Sequence, residues 1–144
     1  MSALEHDKDY YGWTQQQAEF LRQRRFADLD IDYLSEELES MGASDRRELM
    51  SRLTVLLTHL LKWQYQPERR GTRWRLTITE QRRSIRRLLA DSPSLQPLLP
   101  GILVEEYRDA RDDAIYETSL AKSRFPLDCP YSIEQVLNSE FWPD

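Results

Sequence analysis

Asp45 to Tyr65 reads DRRELMSRLTVLLTHLLKWQY, and the spacing of its leucines decides the fold. Leu49, Leu53, Leu56, Leu57 and Leu60 fall at i, i+4, i+7, i+8 and i+11. That is one face of an α-helix. Val55 and Leu61 widen it beyond a single stripe, the pattern of a central helix contacted from more than one side. Ser44 stands before the helix as its cap. Pro67 ends it, because the residue before a proline avoids helical geometry.

Working outward, helical periodicity recurs on both sides. Upstream, Gln15 to about Arg25 reads as a first helix, with Thr14 and Gln17 as a capping box. Ile31 to Met41 reads as a second, with Asp30 as cap and Gly42 as stop. Its apolar stripe is Leu34, Leu38 and Met41. Asp32, Glu36, Glu37 and Glu39 make it acidic. Downstream, Trp74, Ile78, Ile85, Leu88 and Leu89 share a face over about Arg73 to Ala90. Arg75 to Thr79 alternates like a short strand, but a lone strand has no partner, so helix is the better reading. A further helix spans about Leu95 to Thr118, with a kink or restart expected at Pro100-Gly101. Ala110 and Ala114 lie on its inner face and allow close approach of a neighbour, and Glu106 and Glu117 fall near the same stripe. Ser119 to Pro130 is loop. A last short helix, Ile133 to about Asn138, carries Ser132 and Gln135 as its capping signal. The fold class expected is all-α: one compact bundle of about five helices plus a short C-terminal helix, in a single domain over residues 1–144.

Composition narrows the class of protein. Charged residues are 31% and hydrophobic ones 40%, which is globular rather than disordered. Cys129 is the only cysteine, so there is no disulfide framework and no thiolate metal cluster. The N-terminal stretch lacks the basic and apolar regions of a signal peptide, and a cytoplasmic location is expected. The longest apolar run, Leu53 to Leu61, falls short of the roughly 20 residues that a membrane span needs, so no membrane is expected. Formal charge is −5 overall. Lys62 to Arg87 alone carries nine Lys or Arg against two Glu, a local +7 set against −12 elsewhere.

Long motifs carry a family resemblance. EELESMG at Glu36 to Gly42, LLTHLLKWQYQPERRG at Leu56 to Gly71, TITEQRRSIRRLLADSPSL at Thr77 to Leu95 and FPLDCPYSIEQVLN at Phe125 to Asn138 resemble the bacterial family called domain of unknown function 29. The resemblance covers about residues 9–140. It implies a small helical protein of a kind frequent in cyanobacteria. It implies no activity, cofactor or site residue. Pro100-Gly101 departs from the uninterrupted helix expected of the family there.

The residues themselves offer three chemistries. The basic stretch is a candidate anion or nucleic-acid face: Arg75, Arg82 and Arg86 share one ridge, Arg83 lies on the next, and Arg69 and Arg70 sit at the turn beside aromatic rings. The competing reading is internal pairing, in which at least one of Arg75, Arg82 or Arg86 meets a carboxylate of the acidic helices. A polar cluster of Glu37 with His59 across two helices is the second candidate. One histidine without a Glu-x-x-His pattern is poor material for a metal, and neither metal nor cofactor is expected. Cys129, with no histidine near it in sequence, reads as an incidental thiol. No nucleophile elbow, phosphate loop, dinucleotide fingerprint or zinc-protease motif occurs. The expected function is therefore a non-enzymatic helical module that binds another macromolecule, with protein favoured. Nucleic-acid binding through Arg69–Arg87 is the alternative, and an enzyme or metal site around His59 comes last. A homodimer through Phe141-Trp142-Pro143 is one form of the first reading, unless those rings pack on their own bundle.

Overall fold

Five α-helices carry the chain in the computed structural model, which describes residues 4–144. They are α1 (Tyr10–Arg22), α2 (Ile31–Tyr65), α3 (Thr72–Asp91), α4 (Leu99–Thr118) and α5 (Ile133–Leu137), with short 3-10 turns between them. No strand occurs among the described residues. No helix among them is long and apolar enough to cross a membrane. The chain forms two compact units, residues 1–44 and residues 45–144.

The first unit holds α1 and the start of α2. Helix α1 begins at Tyr10 rather than at the expected Gln15. Asp9 is the cap, its carboxylate accepting from the Gly12 N–H at 3.0 Å. Thr14 lies inside the helix and donates to the Tyr11 carbonyl at 2.7 Å. Gln17 is buried and accepts from the Asp30 N–H at 2.8 Å. The expected capping box fails because Asp9 supplies an equally good cap one turn earlier. The helix ends in a double turn: Arg25 N–H reaches the Phe20 carbonyl and Arg24 N–H reaches that of Leu21. This pairing needs a left-handed residue, and Arg24 takes φ 57° where glycine is usual. Trp13 and Phe20 are this unit's buried aromatic rings, and the Trp13 Nε1–H donates to Asp30 at 3.1 Å.

Gly42 does not stop a helix. The two helices expected over Ile31–Met41 and Asp45–Tyr65 are one, α2, running unbroken through Ser40-Met41-Gly42-Ala43-Ser44. A glycine in a helix interior costs about 1 kcal/mol relative to alanine, too little to break a helix of this length. Gly42 keeps a negative φ, so the left-handed cap that makes glycine a stop is not formed.

In the second unit the leucine face of α2 is the core. Leu49, Leu53, Leu56, Leu57, Leu60 and Leu61 are all fully buried. Ile78, Ile85 and Leu88 of α3 join the same cluster, with Leu99, Ile102, Leu103, Tyr107, Ala110 and Ala114 of α4. Ala110 and Ala114 serve the close approach expected of them, with Thr58 of α2 0–9% exposed class neighbours aside: its Oγ1 lies 3.4 Å from the Ala110 carbonyl oxygen. Helix α3 is helical from Thr72, so the strand alternative does not form. Helix α4 starts at Leu99 after a 3-10 turn over Pro93–Leu98, which places Pro100 in its first turn, where a proline is tolerated. Helix α5 packs against α3 and α4 and has the full Ser132–Gln135 capping box.

Candidate functional site

Six arginines were candidates for an anion site, and the fold divides them. Arg82 is 1% exposed. Its Nε donates to the Val136 carbonyl at 2.8 Å, and its Nη2 donates to Phe141 O at 2.8 Å and to Gln135 O at 3.4 Å. Gln135 and Val136 belong to α5, whose last carbonyls have no partner within the helix. Arg82 therefore caps α5 from α3. Burial, with Arg86 nearby, lowers its pKa to about 10, so it stays charged at neutral pH. Arg70 is half-buried; its Nε donates to Trp63 O at 2.6 Å and its Nη2 to Pro143 O at 3.3 Å.

Arg75 is exposed and lies over two rings, 5.0 Å from the centroids of both Trp63 and Trp142. Those indoles are 4.8 Å apart. Arg82 lies 5.5 Å from Trp142 on the same ring. Phe141 and Trp142 are half-buried and Pro143 is buried, so these residues pack on their own unit. Arg69, Arg83 and Arg86 are exposed and form no ion pair among the described residues.

The internal-pairing expectation is corrected in one respect. Arg82 is held internally, but by backbone carbonyls rather than a carboxylate. The C-terminal segment brings a row of unpaired carbonyls to it, and a guanidinium fork suits several acceptors at once. The inward acids of α4 are answered by α2 instead. Glu106 accepts from the Thr54 hydroxyl at 2.8 Å, and Glu117, which is exposed, lies 3.8 Å from Lys62 Nζ.

The Glu37 and His59 candidates each have partners of their own. His59 Nδ1 pairs with the Val55 carbonyl at 2.9 Å, one turn back on α2. Burial pushes its pKa below 6.5. Glu37 accepts from the Tyr10 hydroxyl at 2.6 Å through one oxygen, and its other oxygen lies 2.9 Å from His6 Nε2. The other His6 nitrogen is 2.9 Å from Asp7. The His6 ring stacks on Tyr33 with centroids 4.5 Å apart and meets Trp13 and Tyr10 edge-on at 4.7 and 5.1 Å. Hydrogen bonds to Asp7 and Glu37 raise the His6 pKa, while Tyr10 and then His6 lower that of Glu37. Sequence reasoning passed over His6 because it lies near the N-terminus. The aromatic set Tyr10, Trp13 and Tyr33 at helical spacing was the available signal.

Beside this cluster runs a shallow groove of about 210 Å³ between α1 and the start of α2. Trp13, Leu21, Leu34, Leu38 and Met41 supply most of its apolar wall. Leu38 and Met41 are 67% and 66% exposed. Nine of the fourteen exposed large hydrophobic side chains lie in residues 4–44. In the second unit, a cleft of about 550 Å³ is lined by Leu103, Tyr107, Arg111 and Cys129 among others. Its polar groups are largely engaged: Arg111 donates to Phe125 O and Lys122 O, Tyr107 to Pro126 O, and Cys129 to Tyr131 O. Burial raises the Cys129 pKa, so the thiol is protonated and unreactive at neutral pH. Among the described residues, no group of three or more His, Cys, Asp or Glu is placed to hold a metal ion.

An all-helical chain with an apolar groove on one unit and an arginine-capped core in the other is the class defined by these features. The chain belongs to the family described as Domain of unknown function DUF29, which it matches over residues 6–142. No curated protein and no solved structure matches it.

Proposed function

We propose that this chain is a non-enzymatic helical module that binds another protein through the hairpin of α1 and the start of α2. The exposure of Leu38 and Met41 beside the α1–α2 groove carries this reading. A folded chain that leaves such side chains grouped and exposed gains by covering them. The test is site-specific photocrosslinking in the native cell, with p-benzoylphenylalanine at Leu38 or Met41. Val104 on α4, 73% exposed, is the control position. Protein adducts at the hairpin positions and not at the control support the reading; their absence at both hairpin positions overturns it.

Nucleic-acid binding through Arg69, Arg75, Arg83 and Arg86 is the second reading. The observation favouring it is that these four side chains are exposed and without ion pairs among the described residues. Fluorescence anisotropy of labelled single- and double-stranded oligonucleotides tests it. Binding that weakens steeply with salt and is lost in Arg83→Ala/Arg86→Ala would support it, and no binding at low salt would end it.

A further inference from the structure

Charge selects what the groove accepts. The first unit carries ten Asp or Glu against four Lys or Arg, a formal −6, whereas residues 45–144 carry +1. On α2 the acids stand beside the apolar stripe. Asp32, Glu36 and Glu39 follow one another at i, i+4 and i+7, which is one ridge of the helix. All three are exposed, and none has a cation within ion-pairing distance among the described residues. Glu37 differs, because Tyr10 and His6 already engage its two oxygens. Charge recognition is thus left to the ridge, and apolar contact to Leu34, Leu38 and Met41 at i, i+4 and i+7.

We propose that the groove receives an amphipathic helix of a partner protein, with an apolar face flanked by a row of Lys or Arg. This rests on the protein-binding reading above and specifies the partner. Helix-in-groove recognition uses apolar anchors at i, i+3 or i+4 and i+7, the same repeat that α2 presents. A row of cations at that repeat reaches Asp32, Glu36 and Glu39 together. A second copy of this hairpin is disfavoured, since it would bring −6 against −6. The chain's own basic helix is not available either, because the apolar face of α3 is buried in its own core through Ile78, Ile85 and Leu88.

The test uses the full chain and three fluorescein-labelled synthetic peptides of about eighteen residues, five helical turns. One is an amphipathic Leu/Lys repeat, one has the same composition scrambled out of helical register, and one is a Leu/Glu repeat with the same apolar pattern. Anisotropy at low salt is expected to give binding of the first peptide at least about tenfold tighter than of either other, falling as salt rises. Leu38→Ala/Met41→Ala and, separately, Glu36→Gln/Glu39→Gln are each expected to weaken it by about tenfold or less. Both pairs are exposed, and circular dichroism checks that each variant keeps its helix. Equal binding of the scrambled peptide, tight binding of the Leu/Glu peptide, or no response to either variant pair overturns the proposal. Failure here together with hairpin photoadducts to a protein leaves the protein-binding reading standing and removes only the basic helix as its partner.

Discussion

His6 and His59 experience opposite environments. Hydrogen bonds to Asp7 and Glu37 hold the proton on His6 and raise its pKa. Burial drives the proton off His59 and lowers its pKa. The consequences for stability differ in sign. The His6 contribution is complete below 6.5 and is lost as pH rises through its raised folded value. The Glu37 contribution is complete above 4.5 and is lost as pH falls through its lowered folded value. The cluster is therefore tightest between those limits. His59 acts the other way from His6: its contribution is present above 6.5 and is lost on acidification. Nuclear magnetic resonance titration of the two rings is expected to give midpoints on opposite sides of 6.5, with that of His6 falling in Glu37→Gln. Coincident midpoints would contradict the geometry of both sites.

At the scale of elements, α2 and α5 depend on single residues in ways that measurement can separate. A Cβ added at Gly42 meets nothing within 4 Å, and the backbone there is ordinary helix. Gly42→Ala is expected to stabilise the protein by about 0.5–1 kcal/mol in urea unfolding. A loss of stability would mean that the chain breaks at Gly42 as its sequence suggests. Arg82 is the converse case. Removing it leaves the carbonyls of Val136 and Phe141 without their donor, and Arg82→Met is expected to cost about 2–4 kcal/mol. Arg82→Lys should recover little, since one ammonium cannot reproduce the fork. Arg86→Met, at an exposed site, should stay within about 0.5 kcal/mol of the parent. Equal effects at positions 82 and 86 would refute the capping role.

Across the whole molecule, local periodicity was legible and long-range choice was not. Leu49 to Leu60 defined the core helix from spacing alone, because a 3.6-residue repeat needs no knowledge of the partner. Ala110 and Ala114 were read for the same reason. Arg82 was seen as a candidate for internal pairing, but its acceptors lie more than fifty residues away on the C-terminal segment, and no pattern around Arg82 names them. The Gly42 stop failed because glycine's cost is small against the length of α2. The Glu37–His59 pairing was drawn on that stop, and Glu37's partner His6 comes from a segment without helical periodicity. The last prediction concerns the same helix. All buried residues of α2 lie at Leu49 and beyond, whereas Ile31, Leu38 and Met41 are exposed. Backbone hydrogen bonds open most easily where few apolar contacts must break with them. Hydrogen–deuterium exchange read by mass spectrometry is expected to show faster exchange over residues 31–44 than over 49–63 of the one helix. Slowing of the first stretch alone by the Leu/Lys peptide would tie that low protection to the groove. Uniform protection along α2 would show that its exposed start is held as firmly as its core.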